Sequence, residues 1–176
     1  MDKPMPDRHF KFMTFGYKFR DLFLPRRKIL DEVGIKEGFQ ILDYGCGPGG
    51  YIAAVSKLVG KSGEVYALDI HPLAIQKVKD SVSKYNLLNV KTICSDCKTG
   101  LPDNSIDTVL LYDAFHELSH PNRVLKELYR VLKPTGILSF SDHHMKEDEI
   151  VSKLTDKDLF RLLSKGKRTY SFLKEE

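Results

Sequence analysis

The sequence predicts an α/β protein built on a doubly wound, mostly parallel sheet with helices on both faces. Three observations lead to this fold class. The 176 residues suffice for one α/β domain with a real core. From Phe39 onward, short apolar runs alternate with amphipathic stretches, and a glycine-rich turn follows the first run. The hydrophobic share of 41% and the charged share of 30% are those of an ordinary globular chain.

The apolar runs predict the strands, and the amphipathic stretches predict the helices. Apolar residues recur at helical spacing in each predicted helix, and Pro72 and Pro121 suit the first turns of two of them. The segment 95–105 is compatible with a short helix or with a loop. The stretch "LFRLLSKGKRTYSFL" predicts a terminal hairpin around a Lys-Gly-Lys turn. The predicted strands cover 40–44, 64–68, 90–94, 106–112 and 137–141, and the predicted helices cover 49–60, 72–86 and 121–132.

We predict an N-terminal arm and helix over residues 1–38, followed by a single domain over residues 39–176. The helix would begin near Pro25 and stop at Gly34. Residues 8–28 contain seven Lys or Arg against one acid, and six aromatic residues lie among them. This arm could be a lid over the site, a docking segment for an acidic substrate or RNA, or a segment packed on the domain. Its aromatics are not set on a recognisable RNA-binding fold, so the sequence argues against a nucleic-acid partner.

The stretch "ILDYGCGPGG" places a glycine-rich turn between a predicted strand and a predicted helix. Gly45, Gly47 and Gly50 fit the G-x-G-x-x-G dinucleotide pattern. Glycines adopt positive φ and keep Cβ atoms away from a ligand. In a doubly wound sheet, ligands bind at the carboxyl ends of strands where the strand order reverses. The turn therefore predicts a nucleotide-like ligand.

Three aspartates lie at the ends of three successive predicted strands, and they indicate which nucleotide-like ligand the turn binds. Asp43, two residues before the first glycine, would repel a pyrophosphate and attract a ligand carrying an ammonium and a sulfonium group. Asp69 lies 26 residues later, where a carboxylate can accept both ribose hydroxyls. Asp96 is placed to accept a hydrogen bond from an adenine amino group. Together these acids favour a sulfonium cofactor over a nicotinamide dinucleotide.

These motifs resemble those of class I S-adenosylmethionine-dependent methyltransferases, in particular the small-molecule branch that includes the ubiquinone and menaquinone biosynthesis enzymes. The resemblance runs from about Pro25 to Asp142. It implies a Rossmann-like, seven-stranded sheet with an antiparallel C-terminal strand. It departs from the family at Thr135, where a glycine is usual, and in the short stretch before the terminal hairpin. The motifs are "ILDYGCGPGG", "VYALDIHP", "SDC…GLPDNSIDTVLLYDAFHEL" and "VLKELYRVLKPTGILSFSD".

The resemblance implies that Asp43 and the glycines hold the methionyl end of S-adenosyl-L-methionine, Asp69 the ribose, and Asp96 with Cys97 the adenine edge. The product would be S-adenosyl-L-homocysteine. The predicted cofactor-binding residues are Asp43, Gly45, Cys46, Gly47, Gly49, Asp69, Ile70, Asp96, Cys97 and Asp113.

The segment "YDAFHEL" after the fourth strand would face the methyl group. Tyr112 or Asp113 could line the sulfonium, and His116 is the natural candidate if a base exists, because an imidazole titrates near neutral pH. A histidine that only caps or packs at the strand end is the competing interpretation. We name His116 and Asp113 as the candidate catalytic residues.

We predict no metal site. "HELSH" at 116–120 matches the H-E-x-x-H of zinc peptidases, but Pro121 starts a new helix instead of continuing one through both histidines. Cys94 and Cys97 form a lone C-x-x-C, which favours a buried cysteine at the strand end and one beside the adenine. Together with Cys46 they keep open a thiol role with arsenite.

The sequence thus predicts a methyltransferase, a transferase that moves a methyl group to a small-molecule acceptor by in-line displacement. The alternatives are an NAD-dependent oxidoreductase and a protein that only binds S-adenosylmethionine. With no apolar run near the roughly 20 residues of a membrane span, we expect a cytoplasmic protein. The acceptor, the atom methylated and the oligomeric state are not given by the sequence.

Overall fold

The computed structural model describes Pro4, residues 6–8 and residues 27–175. Within these ranges a 3₁₀ helix, Phe115–Glu117, follows the fourth strand. The strands are β1 (Gln40–Tyr44), β2 (Glu64–Asp69), β3 (Val90–Cys94), β4 (Ile106–Tyr112), β5 (Leu132–Ser141), β6 (Phe160–Lys165) and β7 (Tyr170–Lys174). The helices are α1 (Arg27–Leu30), α2 (Ile52–Val59), α3 (Pro72–Tyr85), α4 (Pro121–Val131) and α5 (Glu147–Thr155).

The seven strands form one sheet in the order β3-β2-β1-β4-β5-β7-β6. β1 to β5 run parallel, and β7 lies antiparallel to both β5 and β6. The strand order reverses between β1 and β4, which is where a doubly wound sheet opens a crevice. The predicted Rossmann-like sheet with an antiparallel C-terminal strand is confirmed.

Two hydrophobic cores lie on opposite faces of this sheet, as the doubly wound prediction requires. Val55 of α2 and Val78 of α3 belong to one core. Leu128 of α4 and Leu154 of α5 belong to the other. A strand covered on both faces loses the alternation of polar and apolar residues, and six of the seven residues of β4 are buried. This explains why β4 ends in the uninterrupted apolar run 109–112, without alternating polar residues.

Helix α3 shows how local sequence sets the helix ends. Pro72 occupies its first turn, and the Nδ1 of His71 accepts the backbone N–H of Leu73 at 3.2 Å. At the other end Asn86 adopts the left-handed conformation, with φ of 51°. The helix therefore ends one residue before its predicted limit of 86.

Several element boundaries differ from the prediction. β5 begins at Leu132 instead of 137, because Leu132 pairs with Ile106 before residues 133–136 bulge out and Ile137 pairs with Thr108. Helix α2 begins at Ile52, since the glycine turn extends further than predicted. Residues 95–105 contain no helix. Helix α5 was not predicted, and it fills the short stretch before the terminal hairpin.

The N-terminal prediction is tested only in part. Helix α1 spans Arg27–Leu30, and the chain then turns to Gly34, whose φ of 71° suits a glycine stop. Pro25 and the aromatic residues of the proposed lid lie outside the described residues. In the described part of the chain, no helix has the length and apolar character needed to cross a bilayer.

Candidate active site

The glycine turn folds back over the end of β2. The backbone N–H groups of Gly45 and Cys46 both donate to the carbonyl of Leu68, at 2.8 and 2.9 Å. Gly45, Gly47 and Gly49 have φ of 73°, 52° and 82°, values that side-chain-bearing residues rarely adopt. Backbone geometry therefore favours glycine at each of these predicted positions.

The three glycines differ in what surrounds them. A Cβ on Gly45 would lie 2.7 Å from the Cβ of Ala114, and one on Gly49 would lie 2.9 Å from the Cγ2 of Val78. These two glycines allow the turn to pack against the domain. A Cβ on Gly47 would meet nothing within 4 Å. The backbone at Gly47 is thus open to a ligand, which fits a nucleotide-like cofactor.

Asp69 ends β2 and ties the glycine turn to the strand. One carboxylate oxygen accepts the backbone N–H of Gly47 at 2.8 Å, and the other accepts that of His71 at 2.8 Å. Burial raises the pKa of Asp69 above its ordinary value, against the opposing effect of these N–H donors. Asp69 therefore lies at the predicted place but also shapes the turn, a role that the sequence did not indicate.

The ends of β1, β2 and β3 bring the three predicted aspartates to one edge of the sheet. Asp43 is buried within β1. Near Asp96, the hydroxyl of Tyr44 donates to the Asp96 carbonyl at 3.0 Å, which joins the end of β1 to the turn after β3. Ile70 follows Asp69 directly, and its carbonyl accepts a weak bond from the Cys94 thiol at 3.8 Å.

The three cysteines occupy different environments. Cys46 and Cys97 are buried, whereas Cys94 at the end of β3 is exposed, so the prediction of a buried strand-end cysteine at Cys94 is wrong. β3 is an edge strand, and edge strands expose side chains. Burial, with Asp43 and Asp69 nearby, raises the pKa of the Cys46 thiol well above its usual value. Among the described residues, the three sulfurs do not form a converging group of metal-ligating atoms.

The end of β4 lies directly against the glycine turn through Ala114. Asp113 has φ of 51°, and its N–H donates to the carbonyl of Ser141 at 2.8 Å. The Tyr112 hydroxyl is bonded to the Ser139 hydroxyl at 2.7 Å inside the sheet, and burial raises its pKa. Tyr112 therefore remains a neutral phenol at neutral pH.

Two histidine–aspartate pairs cross between the loops after β4 and β5, and we call them the crossed pairs. His116 Nδ1 lies 2.8 and 2.9 Å from the two carboxylate oxygens of Asp142. His143 Nδ1 lies 2.7 Å from an oxygen of Asp113. Each loop thus supplies one carboxylate and one imidazole. Sequence reasoning found His116 and Asp113 but missed Asp142 and His143, although "SDHHM" directly after a predicted strand was a usable signal.

Ligand atoms of Asp113, Asp142 and His143 lie within 4.8 Å of one another, which is the one spacing in the described part of the chain that suits a metal ion. Of this group only Asp113 was among the predicted site residues, and no metal role was predicted for it. The H-E-x-x-H match has no such geometry. His116 lies in the 3₁₀ helix and His120 precedes Pro121 at the start of α4, so the two histidines do not share a helix face.

Comparisons with known proteins show which family this chain belongs to. A family model described as "Methyltransferase domain" matches residues 35–175. The chain is 32% identical over 130 residues to a demethylmenaquinone methyltransferase of Geobacillus sp. (strain WCH70), covering 73% of this chain and 56% of that protein. It is 28% identical over 140 residues to a ubiquinone/menaquinone biosynthesis C-methyltransferase of Marinomonas sp. (strain MWYL1), covering 78% and 56%. The chain thus spans about half the length of these curated relatives.

Among solved structures, the chain is similar to a SAM-dependent methyltransferase from Aquifex aeolicus. The TM-score is 0.76 at 31% identity, with 91% of this chain and 98% of that chain covered. The chain belongs to the methyltransferase-domain family, in the class that depends on S-adenosylmethionine. The predicted family and fold are confirmed. The assignment decides against the NAD-dependent alternative.

Proposed function

We propose that this chain transfers the methyl group of S-adenosylmethionine to a small-molecule acceptor. The observation that carries the proposal is the open backbone at Gly47, flanked by Asp43, Asp69 and Asp96 at the ends of three adjacent strands. When bound, the cofactor supplies a methyl group on a positively charged sulfur, which leaves as a neutral thioether. Positioning and exclusion of water then account for most of the rate that the protein must provide.

Each predicted cofactor-binding residue has a role in this proposal. Asp43 and the backbone at Gly45 and Gly47 would hold the methionyl end. Asp69 would accept the ribose hydroxyls, because each of its oxygens binds one backbone N–H and a carboxylate oxygen accepts about two hydrogen bonds. Asp96 would face the adenine. Cys46, Gly49, Ile70, Cys97 and Asp113 would line the same crevice.

The names of the curated relatives make a reduced quinone the first acceptor to try. The proposed crevice on the acceptor side lies at the ends of β4 and β5, where the crossed pairs provide polar groups beside the apolar Ala114. This combination suits a small aromatic molecule that carries hydroxyl groups. The cytoplasmic location stays a prediction.

The N-terminal arm is proposed as a lid over this crevice. Asp7, one of the described arm residues, has a carboxylate oxygen 3.6 Å from the Nε2 of His71. His71 lies two residues beyond Asp69, so this contact holds part of the arm beside the proposed ribose position. Support for the lid comes from this contact and from the aromatic residues between Phe10 and Phe23.

Calorimetric titration with S-adenosylhomocysteine and with NAD⁺ in parallel tests the proposed cofactor site. We expect binding of the first and none of the second. Gly47→Ala should weaken binding of S-adenosylhomocysteine at least tenfold, because its Cβ projects where the ligand would lie. The matched control is Gly34→Ala, which has a similar positive φ of 71° and equally open surroundings but lies outside the site. Equal affinities of the two variants would contradict the assignment of the site.

Turnover separates an enzyme from a protein that only binds the cofactor. Purified protein is incubated with S-adenosylmethionine and a panel of hydroxylated aromatic acceptors that includes naphthalene-1,4-diol, and methylated products are detected by mass spectrometry. We expect a methylated product from at least one hydroxylated aromatic. Tight binding of S-adenosylhomocysteine with no product from any acceptor would favour the binding-only alternative.

A further inference from the structure

We propose that His116 and Asp142 form a catalytic dyad, in which His116 removes a proton from the acceptor and Asp142 positions its ring. It follows that the acceptor is protic, a molecule whose hydroxyl group must lose its proton as the methyl group arrives. This inference rests on the proposed function and adds to it the chemical class of the acceptor.

Asp142 is built to hold one orientation. Its side chain is fully buried, and its two oxygens accept the backbone N–H groups of His116 and His144 at 3.1 and 3.0 Å. A buried carboxylate needs such donors to offset its lost hydration. With the carboxylate fixed in this way, the contacts of 2.8 and 2.9 Å to His116 Nδ1 fix the imidazole as well.

The partner of Nδ1 decides which ring nitrogen of His116 can act as a base. An ionised carboxylate only accepts hydrogen bonds, so Nδ1 must carry the proton that points at Asp142. In the neutral ring the lone pair is then on Nε2. The nearby Glu117 carboxylate is 3.8 Å from Nε2, which is longer than a hydrogen bond. In the neutral ring, Nε2 is therefore the nitrogen that can accept a proton, and the side chain is a quarter exposed and accessible to a ligand.

The dyad lies on the acceptor side of the crevice. In the proposed cofactor site, Asp43 and Asp69 lie on β1 and β2 and Asp96 follows β3, whereas His116 and Asp142 follow β4 and β5. The strand order reverses between these two groups. His116 lies two residues beyond Ala114, which touches the glycine turn. A base at this point would lie beside a molecule that enters the crevice from the β4 and β5 side.

The second crossed pair keeps the two loops in register. One carboxylate oxygen of Asp113 accepts a hydrogen bond from the backbone N–H of His143 at 3.2 Å and lies 2.7 Å from its ring Nδ1. Together with the bond from Asp113 N to the Ser141 carbonyl, this holds the ends of β4 and β5 side by side. His116 and Asp142 are therefore aligned before any ligand binds, which is how a precise proton transfer is prepared.

The proton-transfer step balances as follows. His116 Nε2 accepts the proton of the acceptor hydroxyl as the oxygen, or a ring carbon conjugated to it, forms a bond to the methyl carbon. The bond between that carbon and the sulfur breaks, and its electron pair stays on the sulfur. Asp142 stabilises the resulting imidazolium, which then releases its proton to water. In the carbon case the ketone formed on methylation then loses its ring-carbon proton to water and its oxygen regains a proton from water, so one proton is released in all.

The positioning role is tested first by the protonation of the ring, which does not depend on knowing the acceptor. In ¹⁵N NMR of the imidazole groups at pH 8.5, wild-type His116 should carry its proton on Nδ1. Asp142→Asn offers an amide N–H to Nδ1, so the proton should move to Nε2. The control is His120→Gln, a change at an exposed histidine outside the site. It should leave the ¹⁵N signals of His116 unchanged. A wild-type His116 protonated on Nε2 would overturn the dyad.

Kinetics with naphthalene-1,4-diol test the catalytic role. His116→Gln and Asp142→Asn should each lower kcat at least 100-fold, with KM within threefold of wild type. Their affinity for S-adenosylhomocysteine should be unchanged, which separates failure of the dyad from failure of the cofactor site. Because the His116 side chain is partly exposed, His116→Gln should fold, and it still tests the dyad if Asp142→Asn does not fold.

Three results would overturn the proposal. The first is a wild-type kcat in His116→Gln. The second is turnover of quinoline, an aromatic nucleophile with no proton to lose, in place of the diol. The third is activity that is abolished by a chelator and restored by Mg²⁺ or Zn²⁺, since Asp113, Asp142 and His143 would then bind a metal ion instead.

Discussion

Asp69→Ala should weaken both the fold and the cofactor site, because Asp69 serves both. The change removes two hydrogen bonds of 2.8 Å from a carboxylate to the backbone N–H groups of Gly47 and His71. A bond to a charged group is worth about 1.5–3 kcal/mol, which gives at least about 3 kcal/mol for the two. Burial of the charge, which raises the pKa of Asp69, offsets part of what these bonds contribute, but removal of the carboxylate also leaves two backbone N–H groups without their acceptor. We therefore expect a net loss of about 2 kcal/mol, below the sum of the bonds.

Two measurements check this expectation. For a chain of this size, about 2 kcal/mol corresponds to a decrease in Tm of roughly 4–8 °C, measured by calorimetry. The affinity for S-adenosylhomocysteine should fall at least tenfold, or about 1.4 kcal/mol. Asp80→Ala is the control, since Asp80 is an exposed aspartate on α3 that bonds only a neighbouring glutamine in the described contacts. A lower Tm with unchanged affinity would mean that Asp69 shapes the turn without binding the ribose, and an unchanged Tm would refute its role in the turn.

Three further predictions concern the fold. Hydrogen bonds with Arg130 lower the pKa of Glu127 from 4.5 to about 2, so its carboxylate stabilises the fold above pH 4.5, and this is lost as the pH falls towards 2. Glu127→Gln should lower the free energy of unfolding, measured by urea denaturation, by about 2–3 kcal/mol at pH 7 and by almost nothing at pH 2. A decrease that is independent of pH would contradict this. Phe172→Ala, in the core, should lower the free energy of unfolding by about 3–5 kcal/mol, whereas Tyr85→Ala, at an exposed position, should lower it by about 0.5 kcal/mol or less. Equal decreases would contradict the burial of Phe172 in the core. Gly63→Ala places a Cβ 2.6 Å from a backbone carbonyl, so its Tm should fall by several degrees, and a wild-type Tm would contradict that contact.

Much of the fold was predictable because it follows from burial along the chain. The bounds predicted for the first, third and fourth strands coincide with those of β1, β3 and β4. These strands are short apolar runs between turn residues, and the helices between them carry apolar stripes at helical spacing. The prediction was less accurate where tertiary pairing intervenes. Leu132 continues the apolar stripe of α4 in sequence, but it pairs with Ile106 and so belongs to β5.

Helix α5 was missed because its signal is weak and its reason is tertiary. Only Ile150 and Leu154 of its nine residues are buried. Its start is set by a cap, in which the Glu149 carboxylate accepts the backbone N–H of Lys146 at 3.0 Å. The helix packs on β6, an edge strand in which Phe160 is buried and the other five residues are exposed. Two buried residues in nine did not distinguish this segment from a loop.

The sequence by itself determined the sheet, the glycine turn and the three aspartates that follow successive strands, because each depends on local periodicity or on one residue's conformation. The tertiary structure alone decided that Asp69 supports the turn and that His116 meets Asp142. The partners in the crossed pairs lie 26 and 30 residues apart in the chain. They meet because β4 and β5 are neighbours and Tyr112 pairs with Ser141, so the next residue of each strand reaches the same edge. Strand order and register arise from packing of the whole core, and no local pattern contains them.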